Sequence, residues 1–199
     1  LYFNIFPTVI LKKNLDNHFL SKIESYKDYI NSLPLVKGDI KGICTVEQRL
    51  LNNFLFSDLK YQILKYSKEY LNELGDQFED IQIASSWAAK PNKGISGAIH
   101  NHVNSYLSGV YYLTEGSDIE FLNPLTSLWN FHAIKNQNLE NPRTFRFFSI
   151  TPTVNSLILF PSFLSHYICP PKDDKRISIA FNIIPKGEFG DITRKIYLS

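Results

Sequence analysis

The spacing of hydrophobic residues changes near residue 75. From Leu15 onward they fall at Leu15, Phe19, Ile23, Tyr26 and Ile30 with polar residues between, which predicts an amphipathic helix closed by Pro34. A second helical stretch is predicted from Thr45 to Gly75. Thr45 and Gln48 stand in capping-box spacing, Gly75 is a natural C-terminal stop, and Leu51, Leu55, Leu59, Ile63, Tyr66, Tyr70 and Leu74 line one face. Ser57 and Asp58 could begin a separate helix, so a break there is allowed.

Past Gly75 the period shortens to two. Short β-branched and aromatic runs recur between Pro, Gly, Asn and Asp: IQIASSWAA, YLSGVYYL, SDIEFLN, FRFFSI, VNSLILFP, SHYICP, RISIAFNII and ITRKIYL. About eight strands with no helices between them predict an antiparallel sandwich or barrel. The expected architecture is mainly β, a double-sheet jelly roll with N-terminal helices packed on one sheet. A single domain is expected over 1–199, with 1–75 as mainly helical support and 76–199 as the β core. The segment LTSLWNFHAIKNQNLENPRT lacks strand alternation and exceeds ordinary connection lengths, as functional or disordered loops do.

Composition narrows the classes. With 199 residues, 44% hydrophobic, 15 Phe and 11 Tyr, the chain can bury a large core. A net charge of +2 without a basic block gives no reason to expect nucleic acid as a partner. Cys44 and Cys169 fit neither a disulfide framework nor a zinc motif and read as buried thiols of a reducing compartment. No apolar run approaches the ~20 residues of a membrane span, and no secretory signal is present. A cytoplasmic location is expected, with the natural start trimmed, since the chain opens on Leu1 and contains no Met.

The chemistry concentrates in IHNHVNSYLSGVYYL, residues 99–113. Side chains two apart on a strand share a face, so His100 and His102 project together. His166, in FPSFLSHYICP, can join them where strands of a small barrel converge. Neutral imidazole is the commonest metal ligand, although a lone core histidine is more often simply hydrogen-bonded. Ten positions later, period two puts Arg176, Ser178, Ala180 and Asn182 on one face and Ile177, Ile179, Phe181 and Ile183 on the other. The isoleucine face packs under the helices, and the arginine face points into the barrel. A buried guanidinium requires an anion, supplied by a protein carboxylate or by a ligand. Arginine beside a serine hydroxyl suits a carboxylate, which the planar fork binds through two bonds.

These blocks resemble the iron(II)- and 2-oxoglutarate-dependent oxygenases, most closely a subgroup found in phages and marine bacteria. The resemblance rests on W…HNHxNSxLSGVYYL, FxNP, LFPSFLxH and RISIAFN in that order, from Trp87 to about Ile184, and IFPTVI is similar to the way members begin. It implies a double-stranded β-helix, a cupin-like jelly roll, holding Fe(II) on three side chains. It also implies that the far carboxylate of 2-oxoglutarate rests on Arg176 and Ser178, joined by Tyr112 rather than Tyr111. The implied reaction is hydroxylation of an unactivated C–H bond, with 2-oxoglutarate leaving as succinate and CO2. A phage-encoded chain would work in the host cytoplasm.

One departure stands out. Most relatives of the wider superfamily carry Asp or Glu two residues after the first histidine, where this chain has His102. Three readings stay open: a site of His100, His102 and His166, which is preferred; one histidine of the pair with Asp118 or Glu120; or a degenerate site. Asn182 shares the Arg176 face and is a further candidate for the co-substrate. Trp87, Trp129 and His132 are candidate substrate-facing residues, each with a bland alternative as core aromatic or surface loop. Gly109 allows a bulge or a close backbone approach beside the site. Two rival classes remain, a cupin-like metalloenzyme that does not use 2-oxoglutarate and a non-catalytic jelly-roll binding or structural protein. A small-molecule or peptide substrate is expected, and the last strand can pair within the domain or across a homodimer.

Overall fold

The structure is a computed structural model that describes residues 7–37, 42–76, 78–125, 146–189 and 193–198. Trp129 and His132 lie outside the described residues. Each of the eight runs beyond Gly75 contributes a strand: β4 (Asp80–Ala89), β5 (Leu107–Tyr112), β6 (Ile119–Leu122), β7 (Phe147–Ile150), β8 (Ser156–Pro161), β9 (His166–Ile168), β10 (Ser178–Phe189) and β11 (Ile196–Leu198). The segment before them holds two helices, α1 (Ile23–Ser32) and α2 (Ser57–Glu73), and three short strands, β1 (Leu11–Asn14), β2 (Leu35–Lys37) and β3 (Ile43–Thr45). Those three strands join the larger sheet, whose order is β1-β8-β5-β10-β4-β3-β2, with β11 paired to β10. The smaller sheet is β7-β6-β9, and all these strand pairings are antiparallel.

The second helix differs from its expected start. Thr45 ends β3, and its hydroxyl accepts the Ala88 N–H at 3.0 Å, while Gln48 donates to the Thr45 carbonyl. The Thr45 hydroxyl therefore joins β3 to β4, the Gln48 amide folds back on Thr45, and neither caps α2. Two short 3-10 turns follow, Leu50–Asn52 and Phe54–Phe56, which bury Leu50, Leu51 and Phe56 before α2 begins at Ser57. The break allowed at Ser57 and Asp58 is where the helix starts. Its end is as expected: Gly75 takes φ +82°, and the Gly75 and Asp76 N–H groups close on the carbonyls of Asn72 and Leu71.

Parity along the larger sheet divides the interior in two. One face packs under the helices, with Leu157, Leu159, Ile179, Phe181 and Ile183 against Tyr26, Ile30, Phe56, Leu59 and Ile63. Gly109 lies on this face, where a Cβ would come within 2.4 Å of the Phe181 ring. It therefore makes room for Phe181 rather than for anything on the histidine side. The other face, with Val110, Tyr112, Ile158 and Phe160, meets Ile119, Phe121 and Leu164 of the smaller sheet and its flank. This second layer is the inside of the jelly roll.

Candidate metal centre

His166 opens β9 and stands opposite Phe121 of β6. His100 forms an isolated antiparallel bridge with it, the two residues exchanging backbone hydrogen bonds of 3.0 and 2.8 Å. His102 lies beyond that bridge and outside any strand, although the sequence reading puts both histidines of the pair on one strand. The chain here leaves the edge of the smaller sheet and crosses to the larger one, where β5 begins at Leu107. Asn104, at φ +58°, supplies the left-handed turn of the crossing. The backbone N–H of His102 donates to the Ser162 carbonyl at 2.9 Å.

The three imidazoles meet. One candidate ligand atom from each lies within 4.8 Å of the others, and the Nε2 atoms of His102 and His166 are 3.4 Å apart. Nδ1 of His100 lies 2.9 Å from the Ala98 carbonyl, and Nδ1 of His166 lies 2.9 Å from the Leu164 carbonyl. Because a carbonyl only accepts, each Nδ1 carries a proton, and Nε2 is the atom left to turn toward the cluster. Burial holds the His102 ring neutral, lowering its pKa to about 4, with nearby His100 adding to the effect. Burial also lowers that of His166, to about 3, against a smaller opposing contribution from its bond to Leu164.

No carboxylate joins this cluster among the described residues. β6 turns Ile119 and Phe121 inward, so Asp118 and Glu120 belong to its outer side. There Asp118 accepts from the Ser149 hydroxyl at 3.1 Å, and Glu120 accepts from the Tyr167 hydroxyl. Trp87 does approach the site, its ring centroid 6.0 Å from that of His102. Phe160 packs on His166 at 4.6 Å and closes one side.

The same interior holds a second polar centre. Arg176 is 2% exposed, and its guanidinium carbon lies 5.3 Å from the centre of the Tyr112 ring. Its Nη1 makes a long 3.5 Å hydrogen bond to Ser178 Oγ, while Nε and Nη2 have no partner. The Tyr112 hydroxyl and the Ser117 hydroxyl are also buried without partners. Burial pushes the Tyr112 phenol up to about 12, against the opposing pull of Arg176. Burial likewise lowers the pKa of Arg176, with Tyr112 acting in the other direction. Gly116 keeps this end closed, since a Cβ there would lie 3.1 Å from the Arg176 stem. Tyr112 pairs with Ser178, and four residues back Ser108 pairs with Phe160 beside the histidines. The two centres are thus separated by about 13 Å of strand.

Asn182 is not brought to the arginine. Its amide accepts from Ser108 at 2.9 Å and donates to Ser85 at 3.1 Å, at the histidine end. Ser108 and Ser162, both 1% exposed, share a 2.8 Å bond, and Ser162 donates to Ser105 at 3.0 Å. Sequence reasoning passed over these serines. Alternation in YLSGVYYL does place Ser108 on the Tyr112 face, but nothing in FPSFLSH marks Ser162 as a neighbour of the turn after His102.

Residues 85–182 match the family described as "Putative 2OG-Fe(II) oxygenase". No curated protein matches the chain. Among solved structures, HygX from Streptomyces hygroscopicus, with nickel and 2-oxoglutarate bound, aligns at TM-score 0.58 and 13% identity over 89% of this chain and 83% of its own. A Pseudomonas putida prolyl-4-hydroxylase aligns at TM-score 0.59 and 12% identity, covering 90% and 94%. The epimerase SnoN, in complex with Fe3+, alpha ketoglutarate and nogalamycin RO, aligns at TM-score 0.64 and 11% identity, covering 89% and 79%. At such identities the likeness establishes the shared fold, the double-stranded β-helix.

Proposed function

The chain belongs to the 2OG-Fe(II) oxygenase family through its residues 85–182, and from that premise we propose that it hydroxylates an unactivated C–H bond using a metal held by His100, His102 and His166. The observation that carries this reading is the buried guanidinium of Arg176, which has one long bond to Ser178 and no counter-anion and lies on Tyr112, in the layer whose Phe160 packs on His166. Breaking a buried ion pair costs roughly 3–5 kcal/mol because it leaves a charge without a counter-charge. An enclosed arginine without a protein anion is therefore fitted to a ligand anion. A diacid with one end on Arg176 and the other toward the histidines meets both demands.

The residues suit iron(II) and 2-oxoglutarate. Three imidazole nitrogens converge, and the His100 and His166 rings are oriented by Nδ1–H bonds to backbone carbonyls. Arg176, the Ser178 hydroxyl and the Tyr112 hydroxyl would hold the far carboxylate. When bound, the metal supplies oxygen activation coupled to decarboxylation of 2-oxoglutarate to succinate and CO2. The protein's own part is to orient and to keep water out, through Phe160, Phe121, Ile158 and Val110. With neutral imidazoles alone as ligands, no protein carboxylate opposes the incoming dianion. A small molecule or a peptide is the substrate class, in keeping with relatives that include a prolyl-4-hydroxylase. A cupin-like enzyme that does not use 2-oxoglutarate would have no use for the empty-handed Arg176.

Anaerobic addition of 2-oxoglutarate to the iron(II)-loaded protein tests the proposal. A weak visible metal-to-ligand charge-transfer band is the expected result. Metal binding with no band on adding 2-oxoglutarate would favour the cupin-like alternative, and no metal binding the non-catalytic one.

A further inference from the structure

His100 and His166 hold each other in place through reciprocal backbone bonds, and β9 is further anchored to β6. His102 has no such support. It sits at the start of the left-handed turn at Asn104, outside any strand ladder. Something else must fix the third ring, and the backbone bond that holds residue 102 goes to Ser162.

Ser162 bonds to this crossing segment at several points. Its carbonyl accepts the His102 N–H at 2.9 Å, and its own N–H donates to the Tyr106 carbonyl at 3.1 Å. Its hydroxyl donates to Ser105 Oγ at 3.0 Å and lies 2.8 Å from Ser108 Oγ. These contacts span both ends of the turn and its middle. Ser105 in turn lies 3.1 Å from the Leu107 carbonyl and 3.2 Å from the Ile183 carbonyl, and Ser108 continues to Asn182 and Ser85. The result is a row of hydrogen bonds running from the turn across β5 and β10 to β4. Ser162 gives its single hydroxyl proton to Ser105, so a side chain with no hydroxyl at position 162 would break the row at the turn.

We propose that Ser162 is a positioning residue for the third metal ligand. Its hydroxyl locks the turn between residues 102 and 106 so that His102 Nε2 faces His166 Nε2. This inference rests on the three-histidine reading. Removing the hydroxyl leaves the backbone bond to His102 but frees Ser105 and the turn, so the ring keeps its place in the chain and loses its aim. Partners of this kind behind a ligand are typically worth about 10–100-fold in metal affinity.

Cobalt(II) is the probe, titrated anaerobically into the full chain without 2-oxoglutarate, with its visible d–d absorption as readout. Ser162→Ala is expected to weaken cobalt binding by about 10–100-fold and to shift the spectrum toward that of His102→Ala. Ser162→Thr, which keeps a hydroxyl, should restore both. Ser105→Ala removes the same bond from its other end and should reproduce the loss, which guards against a Ser162 variant that fails to fold. Wild-type affinity and spectrum in folded Ser162→Ala, with only a lowered melting temperature, would make the serine purely structural and overturn the inference while leaving the triad intact. Absence of cobalt binding in the wild type would overturn the triad itself, and the positioning role with it.

Discussion

Tyr111 and Tyr112 are adjacent on β5 and both 0% exposed, yet they end differently. Tyr111 faces the helices, and its hydroxyl donates to Asn155 at 2.8 Å, while Asn155 donates onward to the Leu15 carbonyl. Tyr112 faces the inside of the jelly roll, where its hydroxyl has no partner and its ring lies under an arginine with unpartnered nitrogens. The difference extends to the two layers as wholes. The helix side has its own loose ends, the Tyr26 and Ser67 hydroxyls, but these are single neutral groups that cost little. The barrel side keeps a guanidinium with two unpartnered nitrogens and, among the described residues, three imidazoles that no carboxylate joins. Among the described residues the helix face leaves no buried charge unpaired, whereas the barrel face leaves the Arg176 guanidinium without a counter-charge, which the proposed co-substrate would supply.

The largest effect expected from testing this division is at Arg176. Arg176→Ala should weaken 2-oxoglutarate binding by roughly 100–1,000-fold, as loss of a buried charge partner implies, while iron(II) affinity without co-substrate changes little. Calorimetry of each ligand separately reads this, and equal losses of both would show the arginine to be structural. Arg176→Met should lose 2-oxoglutarate in the same way yet melt no lower than the ligand-free wild type, because it removes a charge that has no partner in that state.

Next comes the opposite face. Gly109→Ala places a methyl against Phe181 and Leu159 and should cost about 1–3 kcal/mol, or roughly 2–12 °C in melting temperature. The 2-oxoglutarate affinity of the folded protein should stay unchanged. A weakened co-substrate with an unchanged melting point would contradict the assignment of faces.

The tyrosine pair gives the sharpest contrast at a smaller scale. Tyr112→Phe should reduce 2-oxoglutarate affinity by about 3–10-fold with stability unaffected, the worth of one hydrogen bond. Tyr111→Phe should do the reverse, lowering stability by ~1 kcal/mol and leaving affinity alone. Identical behaviour of the two variants would erase the distinction.

Acid should act through the barrel face. The folded-state pKa values of His102 and His166, about 4 and about 3, lie below the ordinary histidine value of 6.5. Below 6.5 the unfolded chain therefore binds protons that the folded one refuses. Stability of the metal-free protein is full above pH 6.5 and falls as the pH drops toward 4. The loss is up to about 1 kcal/mol per histidine over the first unit. Denaturant midpoints that stay flat from pH 6.5 to 4.5 would mean that the rings are not enclosed as described.

Much of this was legible in the chain. Period two in RISIAFNII separates Arg176 and Ser178 from Ile177 and Ile179, because alternation is a local consequence of strand geometry. The eight runs beyond Gly75 became strands for the same reason, and the helical segments follow from their spacing and from Gly75. Where the reading failed, the cause was a partner distant in sequence. Thr45 looked like a helix cap until its hydroxyl was taken by Ala88. Gly109 looked like part of the site until Phe181 filled the space above it. The stretch around His102 looked like strand, but it crosses between sheets, a move that alternation does not signal.

Sequence alone determined which residues share a face, because the direction of a side chain along a strand depends on its neighbours in the chain. It thereby placed the Arg176 guanidinium and the Ser178 hydroxyl on the face opposite the isoleucines. Only the tertiary structure decided that His166 bridges His100, that Asp118 and Glu120 stay outside, that Asn182 serves Ser108 and Ser85, and that Ser162 reaches the turn after His102. Those outcomes depend on which strands pair and in what register, and register is set by the packing of two sheets and two helices together rather than by any segment on its own.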